Sequence, residues 1–239
     1  MKQHEAVIQT LEKLGGKATL AQLYSEVTKI EDCNWGTKTP FASIRRIVQT
    51  RPEIFKVRPG LWALEDYRKR LGLEKSREES KEIQEETHAY YQGILLSFGI
   101  LKGFRTFSPQ QDKNKLYVNQ PLKEIRTLQE IPSYSHDALV KRSETIDVIW
   151  FNERLMPNSY FEIEHSTGMQ NSLMKFCDLQ DFYVRMFIVA DKRRRGELEQ
   201  KRKYKAFQDI MNRVRFLDYE SVAKQYEIEV IRASQDELL

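Results

Sequence analysis

The stretch YFEIEHSTG, residues 160–168, places two acids in a segment that otherwise predicts a buried strand. Its aromatic and branched residues favour a strand, and the side chains of Glu162 and Glu164, two residues apart, point to the same face of that strand. Upstream, the stretch TIDVIWFNE sets Asp147 beside a second apolar run. Unpaired carboxylates are costly at half-buried positions, so the pattern requires positive charge nearby.

Two sources of that positive charge fit the sequence. One is a set of salt bridges, for which Lys141, Arg142 and Arg185 are candidates. The other is a divalent metal ion, which prefers oxygen ligands and is often held by one or two carboxylates and waters. Asp147 and Glu162 lie 15 residues apart, so a hairpin could bring the acids together. The acids alone leave both interpretations open.

Composition limits the protein class. Hydrophobic residues make up 40% of the 239 residues and charged residues 31%, which is typical of a soluble protein with a packed core. The net charge of +4 allows a nucleic-acid partner without requiring one. Two distant cysteines form neither a disulfide framework nor a zinc site. We find no signal peptide or membrane span, and we expect a cytoplasmic protein that binds no membrane.

Residues 1–65 predict three helices and a hairpin. Apolar residues at helical spacing end at Gly15–Gly16, and a second helix follows the N-cap residue Thr19. The third helix begins at Thr39–Pro40, where a cap and a proline fit the first helical positions. Two short strands surround Pro59–Gly60, a turn signal. This order predicts a winged helix-turn-helix domain.

The third predicted helix carries basic residues that suit DNA. Such a helix enters the major groove, so we expect Arg45 and Arg46 to face the duplex. Lys56 and Arg58 in the wing are positioned to reach phosphates. The alternative is a small scaffold that binds protein, with the arginines merely solvated.

The N-terminal segment resembles the HARE-type winged helix-turn-helix family through AVIQTLEKLGGKATLAQLYSEV, WGTKTPFASIRRIV and IFKVRPGLWAL. The resemblance covers the predicted domain, residues 1–66, and implies a DNA-reading accessory module that could sense base modification. Residues 67–83 are highly charged and poor in apolar residues, which predicts a linker or an exposed helix. Residues 84–239 then form the second predicted domain.

The second domain alternates helices with short apolar strands, which predicts an α+β or α/β sheet. Strands are expected at 146–151 and 160–165, followed by a helix capped by Ser166 and Thr167. RMFIVAD predicts a buried strand and RGELEQKRKYKAFQDIMNR a long exposed helix. VRFLDY, a short helix near Glu220 and YEIEVIRA complete the chain.

Residues 84–226 resemble the PD-(D/E)xK nuclease superfamily through TIDVIWFNE, YFEIEHSTGMQNSLMKFCDLQ, MFIVADKRRRGEL and FLDYESV. The likeness is to restriction-endonuclease-type members with a Glu-x-Glu site. It implies a mixed β-sheet core flanked by helices, with Asp147 and Glu162 as Mg²⁺ ligands and Mn²⁺ as a substitute. The Ile163 carbonyl is a further ligand candidate. Glu164 stands where the usual catalytic lysine would be, and could hold a second metal ion or act as general base.

Other candidates have less specific signals. Glu86 fits the helical glutamate that often joins such sites, or is a solvated acid. His165 alternates to the opposite strand face, which favours a structural hydrogen bond over metal ligation. Arg194 and Arg195 follow a core strand, where they could clamp phosphate or form a solvated charge run.

These patterns predict a metal-dependent endonuclease that cleaves double-stranded DNA. Cutting both strands favours a homodimer, since each core carries one predicted site. The alternatives are a DNA-binding regulator whose nuclease-like core is inactive, and a protein-interaction scaffold whose acids form salt bridges.

Overall fold

The computed structural model describes residues 1–36, 39–70, 81–165 and 168–236. The chain forms two compact units, Met1–Glu78 with Ala223–Leu239, and Glu79–Val222. The residues from Ala223 onward therefore group with the first unit, whereas the sequence had suggested one domain over 84–239. Most of the expected linker, and the caps expected at Ser166 and Thr167, lie outside the described residues.

The first unit contains three helices and a small sheet. Its elements are α1 Gln3–Lys13, β1 Lys17–Thr19, α2 Leu20–Val27, α3 Phe41–Thr50, β2 Ile54–Arg58 and β3 Leu61–Leu64. The antiparallel strand order is β1-β3-β2. The expected helices and terminal hairpin are present, while β1 was not expected. As predicted, Thr19 caps α2, where its hydroxyl accepts a hydrogen bond from the Gln22 backbone N–H at 3.1 Å.

Glycine is required where α1 turns into β1. Gly16 has a φ of +87°, and a Cβ there would lie 2.1 Å from the ring of Tyr67. Both the backbone conformation and the close ring exclude a side chain. Gly60 makes the turn between β2 and β3 with a φ of +78°. The core of this unit packs α1, α2 and α3 together, and Val230 and Ile231 near the C-terminus lie against it.

The second unit carries a larger set of elements. Its helices are α4 Lys81–Leu101, α5 Leu122–Ile125, α6 Asp137–Ser143, α7 Gln170–Asp178, α8 Arg195–Lys201, α9 Gln208–Met211 and the start of α10 Tyr219–Asp236. Its strands are β4 Arg105–Phe107, β5 Leu116–Tyr117, β6 Gln120–Pro121, β7 Val148–Phe151, β8 Pro157–Glu164, β9 Arg185–Ala190 and β10 Val214–Asp218.

A mixed five-stranded sheet forms the centre of this unit, in the order β10-β9-β8-β7-β4. The strands β8, β9 and β10 are parallel, whereas β7 is antiparallel to both β8 and β4. Parallel neighbours need a crossover connection, which α7 provides between β8 and β9. All four residues of β7 are buried, as expected for a strand covered by helices on both faces.

The helices α4 and α7 position the site. Trp150 of β7 donates a hydrogen bond from its indole to the Leu95 carbonyl of α4 at 2.9 Å. Gly99 permits this approach, since a Cβ there would lie 2.6 Å from the Trp150 indole nitrogen. Leu173 and Phe176 of α7 are fully buried in the main core of the unit. Both helices are thereby fixed against the strands that carry the acids.

Two expectations for the C-terminal part were wrong. The long exposed helix is broken into α8 and α9 by a 3₁₀ turn at Lys205–Phe207, because Phe207 turns inward to join the core. The short helix near Glu220 continues as α10 to Asp236 and takes in the stretch YEIEVIRA. Among the helices of the described ranges, none combines the length and the apolar character needed to cross a membrane.

Candidate functional site

The three acids singled out in the sequence lie together at the ends of two neighbouring strands. Glu164 is the last residue of β8 and Glu162 lies two positions before it. Asp147 directly precedes the first residue of β7. A carboxylate oxygen of Asp147 accepts a hydrogen bond from the Ile163 N–H at 2.7 Å. A carboxylate oxygen of Glu162 accepts one from the Asp147 N–H at 3.3 Å. Backbone hydrogen bonds thus hold the acids in register.

Helix α7 supplies two polar side chains to this acid cluster, one helical turn apart. The Lys175 ammonium donates to both carboxylate oxygens of Glu162, at 2.8 and 3.0 Å, and to the Thr145 carbonyl at 2.7 Å. The Ser172 hydroxyl bridges Glu162, at 2.9 Å, and Glu164. Glu162 and Glu164 are only 2% and 4% exposed, so these contacts replace most of their hydration.

The acid cluster concentrates negative charge at positions with little solvent. Ser172 has one hydroxyl hydrogen, so it can donate to only one of the two glutamates at a time. Burial, reinforced by the charge of Asp147, raises the pKa of Glu162 to about 8 despite Lys175 and Ser172. Glu162 therefore prefers its protonated form over a wider pH range than a solvated glutamate does. A cation would remove that preference.

The pKa of Asp147 is shifted in the opposite direction from that of Glu162. Burial acts to raise the pKa of Asp147, but His88, Lys175 and the Ile163 N–H outweigh burial and lower it. Because Asp147 and Glu162 interact closely, they titrate as a pair. Within the pair, Glu162 holds a proton more readily than Asp147 does.

The helix α4 presents His88 to Asp147. The His88 Nε2 atom lies 3.5 Å from one Asp147 carboxylate oxygen. Burial acts to lower the pKa of His88, yet the Asp147 charge outweighs burial and the pKa is raised. Glu86, the candidate from sequence, is exposed two residues earlier. Positions two apart on a helix point in different directions, so His88 takes the inward position.

A second group of potential ligands surrounds His88. His88, Asp112 and Asp147 have ligand atoms that all lie within 4.8 Å of one another, and we call these three residues the His88 cluster. Asp112 comes from the 3₁₀ turn Gln110–Asp112 and pairs with Lys115 at 2.7 Å. Gln92, one turn after His88, donates to Asp112 at 2.9 Å and to the Asp147 carbonyl at 3.1 Å.

The basic residues expected to pair with Asp147, Glu162 and Glu164 have other surroundings. Arg142 pairs with Asp178 at 2.7 Å, and Arg185 donates to the Asn158 amide oxygen at 2.6 Å. Lys141 is exposed. That part of the salt-bridge expectation was wrong, since Lys175 occupies the position instead. The available signal was the three-residue spacing of Ser172 and Lys175 in the helix after the acidic strand, which puts both on one face.

The arginines of α3 differ in their surroundings. Arg45 donates to a carboxylate oxygen of Glu227 at 2.7 Å and to the Tyr24 hydroxyl at 3.3 Å. Arg46 is exposed and lines an open groove with His4 and Arg51. Only Arg46 of the two adjacent arginines therefore points into open space in this unit.

The remaining candidates are distributed along β2 and after β9. Lys56 is exposed on β2 and Arg58 is half-buried. Arg194 pairs with Glu197 at 2.6 Å, while Arg195 lies over the ring of Phe216. His165 has its Nδ1 atom 3.5 Å from the Tyr219 hydroxyl, which fits the structural hydrogen bond expected for it.

Comparison with known proteins gives two findings. Over residues 71–237, more than half of the chain, the sequence matches the family described as type II restriction enzyme NmeDI C-terminal domain. The type II restriction enzyme NmeDI of Neisseria meningitidis serogroup C is 28% identical over 152 residues, which cover 59% of this chain and 42% of that protein. The chain thus spans less than half of that relative's length. No solved structure matches.

Proposed function

The chain belongs to the family of the type II restriction enzyme NmeDI C-terminal domain, and on that premise we propose that it is a metal-dependent DNA endonuclease of the restriction type. In this proposal the second unit hydrolyses phosphodiester bonds of double-stranded DNA in the cytoplasm. One observation carries it: the half-buried carboxylate of Asp147 and the buried carboxylates of Glu162 and Glu164 meet at the strand ends together with Lys175.

The residues of the acid cluster fit a divalent cation. Glu162 and Glu164 are buried beside Asp147, and burial together with the Asp147 charge raises the pKa of Glu162 to about 8. A hard cation prefers such oxygen ligands. Asp147, Glu162 and Glu164 would hold Mg²⁺, with the Ile163 carbonyl as a further ligand and Mn²⁺ as a substitute. In this proposal the donor set is a PD-(D/E)xK site of the Glu-x-Glu type.

Lys175 and Glu164 would position the phosphate and the attacking water. A divalent ion, when bound, supplies Lewis-acid polarisation of the phosphate and a lowered pKa for bound water. Lys175 offers a cation beside Glu162, where it can hold a phosphate oxygen. In this proposal Lys175 does the work of the catalytic lysine that is usual in the superfamily. The position of that lysine on β8 is occupied by Glu164. Glu164, bound to the Ser172 hydroxyl, is the acid available to accept a proton from the attacking water.

The first unit directs the enzyme to DNA in this proposal. Three helices followed by a hairpin are the arrangement of a winged helix, and the exposed Arg46 of α3 and Lys56 of β2 support contact with the duplex. Arg58, Arg194 and Arg195 remain candidates for phosphate contacts. Each second unit offers one acid cluster, so cutting both strands favours a homodimer in this proposal.

The test is Mg²⁺-dependent nicking of supercoiled plasmid and of genomic DNA, methylated and unmethylated. The wild-type chain is expected to cleave, and Glu162→Gln to lose cleavage because a neutral amide binds the cation weakly. Glu153→Gln, which changes an exposed glutamate of the β7–β8 connection, is the matched control and should cleave like wild type. A wild-type chain that binds DNA and never cleaves it would favour the inactive regulator instead.

A further inference from the structure

The positive charge of this chain is concentrated in one short segment of the second unit. Residues 192–205 contain eight lysines or arginines and two glutamates, which give a net charge of +6. The whole chain carries only +4, so everything outside these residues is net negative. We call residues 192–205 the basic segment. A surface that is this positive, on a protein that is otherwise acidic, attracts polyanions.

The basic segment begins at the same edge of the sheet as the acids. Glu164, the last residue of β8, is paired with Ala190 of the parallel strand β9, and the segment starts two residues after Ala190. Neighbouring strands are about 4.8 Å apart, so the chain enters the basic segment one strand away from Glu164. It then forms a 3₁₀ turn and the helix α8.

Helix α8 is attached to the first turn of α7, the helix that carries Lys175. The Glu197 carboxylate accepts a hydrogen bond from the Met169 N–H at 3.1 Å. The Lys201 ammonium donates to the Gln170 amide oxygen, also at 3.1 Å. The basic segment is thereby held beside the acid cluster.

Three arginines of the basic segment contact neighbouring groups of the same unit. Arg193 pairs with Asp191 at 2.9 Å. Arg194 pairs with Glu197 at 2.6 Å. Arg202 donates to two backbone carbonyls, at 3.1 and 3.0 Å. These contacts hold the basic segment in place and leave less of the arginine charge for a ligand.

Three lysines of the basic segment extend into solvent. Lys192, Lys203 and Lys205 are exposed, and in the ranges that the structure describes none of them has an ion-pair partner. Lys192 precedes α8 and the other two follow it, so they lie on either side of a helix about 10 Å long. One strand of DNA carries a phosphate for every ~3.4 Å of the helix axis. The lysines therefore fit phosphates about three positions apart on one backbone.

Duplex DNA is the polyanion that this position favours. A substrate phosphate must approach Asp147, Glu162 and Glu164, whose charges repel it. Cations beside the acid cluster offset that repulsion and raise the local concentration of DNA. Lysines suit this task because they bind phosphate as point charges.

We propose that the basic segment is a DNA-backbone surface of the second unit, on which Lys192, Lys203 and Lys205 contact phosphates of duplex DNA beside the acid cluster. Because phosphates carry no sequence information, this surface supplies affinity that is the same for every sequence. It belongs wholly to the second unit and does not involve Arg46 or Lys56 of the first. The inference deepens the proposed function and rests on it, since it says where the substrate of the acid cluster is held.

The test measures binding of labelled duplex DNA by the full chain without divalent metal, so that no cleavage occurs. The triple variant Lys192→Gln, Lys203→Gln and Lys205→Gln removes three phosphate contacts. The slope of log affinity against log salt should therefore become shallower by about 2.7. Between 50 and 200 mM salt the wild type should lose about 40-fold more affinity than this variant.

The matched control makes the same charge change elsewhere in the second unit. It replaces three exposed lysines outside the basic segment, Lys113→Gln, Lys123→Gln and Lys141→Gln. This control should keep the wild-type slope, because the proposed contacts remain. Circular dichroism verifies that both triple variants are folded.

A second measurement needs no variant. Lysines of the wild type are acetylated with and without DNA, and mass spectrometry locates the modified side chains. DNA should protect Lys192, Lys203 and Lys205 from acetylation. The three lysines of the control should react equally in both samples.

The outcomes distinguish this inference from the proposed function. A wild-type chain that cleaves DNA, with equal salt slopes for both triple variants and no protection of the basic segment, would overturn the DNA-backbone surface alone. A shallower slope for the first triple variant only, in a protein whose wild type never cleaves DNA with Mg²⁺ or Mn²⁺, would establish the surface while refuting the nuclease.

Discussion

One side chain, Glu162, concentrates the electrostatic conflict of the acid cluster. Its pKa is raised from 4.5 to about 8, so the folded state binds more protons than the unfolded state between these pH values. Stability must therefore fall as pH rises through that interval. The raised pKa of His88 acts in the same direction, since its stabilising charge is lost as pH rises.

We expect the melting temperature of the metal-free wild type to fall from pH 5 to pH 8, a loss on the order of 1–3 kcal/mol. Glu162→Gln should flatten this dependence and be the more stable protein at pH 8. Scanning calorimetry across the interval measures both. Glu153→Gln should keep the wild-type slope, and identical slopes for wild type and Glu162→Gln would contradict the raised pKa.

Lys175 is the second side chain whose role can be isolated. Its ammonium lies 2.8 Å from Glu162, so Lys175→Met removes the closest cation of the acid cluster. We expect cleavage to slow by about 100–1000-fold, as for loss of one preorganised electrostatic group. The metal-free variant should also be less stable at pH 8 than wild type.

Lys141→Met is the control for Lys175→Met, because it removes an exposed lysine of α6 in the same unit. Single-turnover cleavage at saturating Mg²⁺ compares the two variants with wild type. Equal loss in both would show that overall positive charge matters and that the position of Lys175 does not.

The two adjacent arginines of helix α3, Arg45 and Arg46, have different surroundings. Consecutive helix positions differ by about 100°, so Arg45 and Arg46 cannot share a face. Arg45 forms part of the unit through Glu227, whose side chain is only 11% exposed, whereas Arg46 is open. The element therefore contributes one internal contact and one candidate DNA contact.

Arg46→Ala and Lys56→Ala should each weaken DNA binding without changing the melting temperature. If each touches one phosphate, the slope of log affinity against log salt becomes shallower by about one. Titration of labelled duplex at several salt concentrations measures it. Lys29→Ala, an exposed lysine after α2, should leave affinity and slope unchanged.

Arg45→Ala should behave differently from Arg46→Ala. Removal of the guanidinium leaves Glu227 and the Tyr24 hydroxyl without this donor, so we expect a loss of about 1 kcal/mol in the free energy of unfolding. Thermal unfolding measures the loss. An unchanged melting temperature together with weakened DNA binding would place Arg45 on the duplex instead.

The chain as a whole passes between its compact units twice, once near residue 78 and once within α10. The charged stretch 67–83 contains several lysines and arginines, so brief trypsin treatment should cut there first. Because Val230 and Ile231 belong to the core of the first unit, the two fragments should stay together after that single cut.

Gel filtration under native conditions should give one peak containing both tryptic fragments, and denaturing electrophoresis should separate them. Deletion of residues 223–239 is the comparison, since it removes the second connection and part of the first unit's core. Fragments of the full chain that separate without denaturant would contradict this grouping, and first cutting inside 146–190 would contradict the predicted linker.

Local patterns in the sequence predicted a substantial part of this protein. The period of two in YFEIEHSTG put Glu162 and Glu164 on one face of a strand, and β8 has that arrangement. Capping and turn signals gave the start of α2 and the hairpin at Gly60. These features depend on neighbours within a few residues, so the chain's order alone specifies them.

Only the tertiary structure decided which distant side chains meet the acids. Lys175 reaches Glu162 because the crossover helix α7 packs beside β8, and His88 reaches Asp147 because α4 covers β7. The pairing of Arg45 with Glu227 likewise depends on α10 returning to the first unit. No periodicity encodes contacts between residues so far apart in sequence. They follow from the packing of buried faces, which fixes where each helix lies.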